Sequence, residues 1–227
     1  MPTYPETPLY RAIISGAFPI IVSLPRHDID LAKAALDGGA GAIKVHLNAH
    51  HRASGTTFGN YTEERPFLEA LAKLGAPMLV MAGQETVPTL GEMNAMADLG
   101  FEGFNVYVDH LQPHLLDSRL RPMPALSSTS TDEDISRLSA IPGAMIEASI
   151  MTFDDYGKPL TEADIARYEH IAKLSSAPII APSQKKFTPA DMPAMQAAGI
   201  AAPLLGVIVT GSTPQEILSS ISAFAKR

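Results

Sequence analysis

Lys44 and His46 stand two residues apart in the stretch AIKVHLNAHHR, followed closely by Asn48, His50, His51 and Arg52. Strand alternation would put Lys44, His46 and Asn48 on one side and Val45 and Leu47 on the other. A lysine and an imidazole on one polar face can donate and accept protons. A lysine desolvated in an interior can also lose its charge and attack a carbonyl carbon, forming a Schiff base. Glu147, in GAMIEASIM, is a lone carboxylate in an apolar strand, and a carboxylate buried there needs a partner. Lys44 is the candidate partner. Facing each other across an interior, the two would act as acid and base on a bound sugar, or as a structural ion pair. Asp109, with His110 after FNVYV, is a further candidate; its plainer reading is a polar loop capping a short helix. His46 completes the catalytic set Lys44, Glu147, His46 and Asp109. A metal would require His46, Asp109 and a third ligand to converge, and the adjacent His50 and His51 would diverge in an extended segment. No metal and no other cofactor is expected.

A second constellation lies near the end of the chain. In LLGVIVTGSTPQEI an apolar strand runs into Thr210, Gly211, Ser212 and Thr213, with Pro214 where a helix would begin. Glycine permits close backbone approach, and free amides at a helix start favour an anion. Upstream, APSQKKFTPADM places Ser183, Gln184, Lys185 and Lys186 at a strand end, where a lysine could pair with a phosphate. The plainer readings are a capped turn and two solvated lysines.

These residues need a scaffold, and the chain alternates short apolar strands with helical stretches. Strands are expected at residues 18–24, 42–47, 77–81, 104–108, 121–126, 144–150, 177–181 and 203–209. Helices are expected at 30–37, 64–74, 90–98, 131–139, 161–174, 189–198 and 214–225. The fifth strand is the weakest, because prolines interrupt it. Eight strand–helix alternations predict an α/β fold, a single (β/α)8 TIM barrel over residues 1–227, with an open doubly wound sheet as the rival. In a barrel, the loops after the strands form the site. RASGTTFGNY would then be a mobile loop over the mouth, and TFDDYGKPLTEAD a second one contributing Tyr156 or Lys158.

Composition narrows the partners. A net charge of −7 argues against nucleic acid, though an acidic protein can still bind phosphate locally. The absence of cysteine excludes disulfides, thiolate metal sites and a cysteine nucleophile, and fits a reducing compartment. With neither a secretory leader nor a long apolar run, a cytoplasmic setting is expected, with no membrane partner. The expected partners are a small phosphorylated substrate and a second copy of the chain in a homodimer.

From PIIVS through AALDGGAGAIKV to PIIAPSQKKFTPADMPAMQAAGI and VIVTGSTPQEI, the chain resembles the ribulose-phosphate-binding barrels. Within them it is most similar to the N-acylmannosamine-6-phosphate 2-epimerases. The resemblance implies a phosphate site and proton transfer next to a carbonyl. The family pattern has a lysine at the end of the third strand, where this chain reads Val80-Met81-Ala82-Gly83-Gln84. It has a glutamate at the end of the seventh, where Ser183 stands. The expected function is an isomerase or epimerase for a phosphorylated sugar or related carbonyl compound. The alternatives are a Schiff-base lyase or aldolase using Lys44, and a non-catalytic phosphometabolite-binding barrel.

Overall fold

Capping boxes begin five of the helices: Asn60 with Glu63, Thr89 with Glu92, Thr131 with Asp134, Thr161 with Asp164, and Thr213 with Glu216. In each, side chain and backbone satisfy one another's free amides, so the helix start is set locally. The computed structural model describes residues 4–226. The first half contains α1 (Pro8–Ile14), β1 (Ile21–Ser23), α2 (Ile29–Asp37), β2 (Ala42–His46), β3 (Ala49–His51), β4 (Thr56–Phe58), α3 (Tyr61–Ala72), β5 (Met78–Met81), α4 (Leu90–Asp98) and β6 (Phe101–Tyr107). The second contains α5 (Pro113–Leu116), β7 (Arg121–Leu126), α6 (Asp132–Ser139), β8 (Ile146–Ala148), α7 (Glu162–Leu174), β9 (Ile179–Pro182), α8 (Met192–Ala197), β10 (Ile200–Leu205), α9 (Val207–Thr210) and α10 (Pro214–Ala225).

Eight strands close a parallel barrel in the order β1-β10-β9-β8-β7-β6-β5-β2, while β3 and β4 form a separate antiparallel hairpin. The barrel is the expected fold. Going round the ring either way, β2 and β8 are four places apart, so they stand opposite each other. One apolar cluster (Val45, Leu47, Phe104, Ile146 and others) fills the space between strands and helices. A second, built from Ile21, Ala42, Leu79, Met123, Met145, Ile180 and Ala202, fills the barrel's interior, and Leu9 and Ile13 of α1 join it from below. Above that apolar layer, the inward positions turn polar.

Three local outcomes differ from the sequence expectation. α1 was absent from it. The expected mobile loop over the mouth is instead the β3–β4 hairpin, paired Ala49↔Phe58, His50↔Thr57 and His51↔Thr56. The proline-containing segment is a strand over the expected residues 121–126, and its prolines are accommodated because its ladder to β8 is short. Pro122 accepts from the Met145 amide, so that edge faces β8, and residue pairing there is confined to Ala125↔Glu147 and Leu126↔Ala148. The last strand stops at Leu205 rather than Val209, and α9 follows at once. Among the described residues, no helix is long and apolar enough to cross a membrane.

Candidate active site

A cavity of about 360 Å³ opens at the C-terminal ends of the barrel strands. Its floor is an ion pair. Lys44 Nζ lies 2.6 Å from Glu147 Oε2, and both side chains are buried. The alternation read in β2 therefore holds: Lys44 and His46 point inward, while Val45 and Leu47 pack outward. The same rule applied to β8 and β6 brings in Ser149, Asn105 and Tyr107, which also line the cavity. Ser149 Oγ donates to Glu147 Oε1 at 3.0 Å, so both carboxylate oxygens have donors. Burial first, and the Glu147 charge second, push the Tyr107 phenol above its ordinary range, keeping it a protonated donor. Sequence reading had not singled out Ser149, Asn105 or Tyr107, although the period-2 signal was available from Glu147 and Phe104.

Histidines crowd one wall. The His46 ring is 4.6 Å from His51 and 5.0 Å from Phe58, and His27 stacks on Phe67 at 4.3 Å. Burial, reinforced by His51, Lys44 and His27, holds His46 well below the usual 6.5. Burial, with Lys44 nearby, lowers His51 to about 4. Both rings are thus neutral at pH 7. His46 Nδ1 is buried with no hydrogen-bond partner among the described residues. Among the described residues, no group of three or more His, Asp or Glu side chains is arranged to hold a metal ion. Asn48 leaves the line of β2: its φ of 48° turns it aside, and its side-chain amide donates to Ala82 O. Gly83 makes this approach possible, since a Cβ there would lie 3.0 Å from Asn48 Cβ and 2.0 Å from Thr86 O.

The anion end requires correction. Thr210, Gly211, Ser212 and Thr213 do not line the cavity. Because β10 ends early, Thr210 closes α9 and the other three follow it, where the amides of Ser212 and Thr213 are both taken by Glu216 Oε2, at 3.0 and 2.9 Å. Gly211, at φ 71°, ends α9. The cavity-lining backbone is Gly206, Val207 and Ile208 instead. The Gly206 amide donates to Ser183 Oγ at 2.8 Å, while the Val207 and Ile208 amides have no acceptor among the described residues. Lys185 is also misplaced by the sequence reading. It is buried 3.4 Å from Asp164 and 3.8 Å from Asp155, outside the cavity lining. Ser183 and Gln184 do line it, and Gln184 braces the loop after β8 by accepting from the Met151 amide and donating to Tyr156 OH. Asp109 is exposed on the turn after β6 and does not reach the cavity. Lys158 pairs with Asp155, whereas Tyr156 lines the mouth.

No family model and no curated protein sequence matches the chain. Solved structures do. A thiamine phosphate pyrophosphorylase from Pyrococcus furiosus is 10% identical, with a TM-score of 0.66 over 93% of this chain and 95% of that one. A tryptophan synthase structure from Mycobacterium tuberculosis is 12% identical, with a TM-score of 0.72 over 99% and 98%. The tryptophan synthase A-subunit of Pyrococcus furiosus is 10% identical, with a TM-score of 0.67 over 92% and 98%. The likeness is one of fold. At this identity it places the chain among TIM barrels and leaves the epimerase resemblance as a matter of individual residues. At those residues, Met81 and Gln84 stand near the end of β5 and Ser183 follows β9, while the buried lysine and glutamate come from β2 and β8.

Proposed function

We propose that the chain is an isomerase or epimerase acting on a small phosphorylated carbonyl compound, with Lys44 and Glu147 moving the proton. The observation that carries this reading is the buried Lys44–Glu147 pair at the floor of a polar cavity at the C-terminal strand ends. A carboxylate beside a carbon next to a carbonyl takes its proton, and the electron pair moves onto the carbonyl oxygen. The Lys44 ammonium then stabilises the developing oxyanion, with the Tyr107 hydroxyl as a donor nearby. Delivering a proton to the opposite face of that carbon inverts it; delivering it to the former carbonyl carbon, while the neighbouring hydroxyl gives up its own proton to become the new carbonyl, gives the isomer. The phosphate would meet the Val207 and Ile208 amides, beside the Ser183 hydroxyl.

A Schiff-base lyase is the second reading, favoured by one feature: Glu147 stands 2.6 Å from Lys44 Nζ, near enough to accept the proton that the amine must lose. Borohydride reduction in the presence of phosphorylated aldoses and ketoses separates the two. Enolisation predicts no adduct on Lys44. A covalent adduct at Lys44, found by peptide mass spectrometry, would replace the isomerase with the lyase. Binding of the same sugars without turnover would leave the non-catalytic barrel.

A further inference from the structure

The cavity mouth carries a cation that the floor does not use. Arg52 opens the turn of the β3–β4 hairpin and lines the cavity. Among the described residues, no carboxylate pairs with it and no acceptor takes its hydrogen bonds; its recorded contact is the face of Phe153, 5.8 Å from guanidinium carbon to ring centroid. Phe153 lies in the loop after β8 and is 56% exposed, the most exposed large hydrophobic side chain in the described residues. Hairpin and loop therefore meet across the mouth from opposite strands, above the Lys44–Glu147 pair.

Charge bookkeeping sharpens this. The cavity-lining residues include Lys44, Arg52 and Glu147 as their charged members, so the lining carries one net positive charge in a protein of net charge −7. Lys44 and Glu147 cancel each other. The guanidinium carbon lies over the Phe153 ring at 5.8 Å, within the reach of a cation–π attraction, and its in-plane N–H donors remain free to grip an oxyanion with two parallel bonds.

We propose that Arg52 recognises a carboxylate on the substrate, separate from the phosphate at the Val207–Ile208 end, so that the ligand is a phosphorylated sugar acid or related phosphorylated carboxylic acid. This deepens the phosphorylated-substrate reading and rests on it. The planar fork of Arg52 matches the two oxygens of a carboxylate. Arg52 is reached from the β8 side and the free amides lie after β10, two places along the ring, so the two anions bind at different points of the rim.

The test uses matched probes: phosphoglycerate beside glycerol phosphate, and phosphogluconate beside sorbitol phosphate, each with its phosphate at one end of the carbon chain. Calorimetric titration of the wild type should show the acid of at least one pair binding about tenfold or more tightly than its alcohol. Arg52→Ala should erase that preference while leaving the alcohol's affinity unchanged, and Arg52→Lys should restore part of it. Circular dichroism confirms that each variant is folded. A wild type with no preference for either acid, or a preference that survives in Arg52→Ala, overturns the proposal. Failure of all four probes to bind would strike the phosphorylated-substrate reading as well, so the two losses are told apart by the alcohols.

Discussion

Lys44 Nζ and Glu147 Oε2 meet at 2.6 Å across the full width of the barrel, joining two strands that stand opposite each other in the ring. Both side chains are buried at the floor of the cavity, and removing one charge leaves the other without its partner. Lys44→Met should therefore destabilise the fold by about 3–5 kcal/mol, while the double variant Lys44→Met with Glu147→Leu should recover most of that loss. Urea unfolding of the two variants beside the wild type measures the difference. Equal destabilisation of the single and double variants would show that the pair is not held as an isolated ion pair.

The histidine wall predicts a direction with pH. The folded protein holds His46 and His51 neutral, whereas the unfolded chain takes up their protons near about 6.5. Between those values the unfolded state binds more protons, so stability falls as pH falls. His51's contribution is complete above the unfolded value and is lost progressively down to about 4; that of His46 continues lower. Thermal melts between neutral and mildly acid pH should show this slope, and His51→Asn should make it shallower. A slope unchanged in both His46→Asn and His51→Asn would place the acid sensitivity elsewhere.

Gly211 tests the corrected anion end. A side chain there would face a φ of 71° and sit 2.7 Å from the Glu216 side chain. Gly211→Val should cost roughly 1–3 kcal/mol of stability through backbone strain. Phosphate binding by the folded fraction should be unchanged, because residues 210–213 do not line the cavity. Isothermal titration with inorganic phosphate, run with a urea melt, checks both halves. Loss of phosphate binding with stability intact would return the anion site to Thr210–Thr213.

How much of this could be read from the chain depends on the range of the signal. The barrel was legible because eight apolar strands and their helix starts are local patterns, and because Lys44 and Glu147 each stand out as charges within apolar alternation. The anion end misled for a local reason. Val207, Ile208 and Val209 look like strand residues, yet Gly206 ends the ladder and they wind into α9. Once that happens, the Thr-Gly-Ser-Thr motif ends one helix and leads into the next: the Thr210 and Gly211 amides bond back to Gly206 and Val207, and those of Ser212 and Thr213 to Glu216. Lys185 misled for a nonlocal reason: its carboxylate partners lie 30 and 21 residues upstream, at Asp155 and Asp164, and only the fold brings them together. Asp109 was singled out by type alone, and the turn after β6 points it to solvent.

The central claim is that Glu147 takes a proton from carbon. Wild type and Glu147→Gln would be incubated in heavy water with phosphorylated aldoses, ketoses and sugar acids, and deuterium incorporation followed by nuclear magnetic resonance. Glutamine keeps the volume and an acceptor oxygen but cannot act as a base, so the variant should bind ligand and lose exchange by at least about a hundredfold. Exchange into at least one compound by the wild type, lost in Glu147→Gln, is the predicted result. Exchange that persists in the variant, or a wild type that binds these compounds without exchanging any carbon-bound proton, would contradict the account.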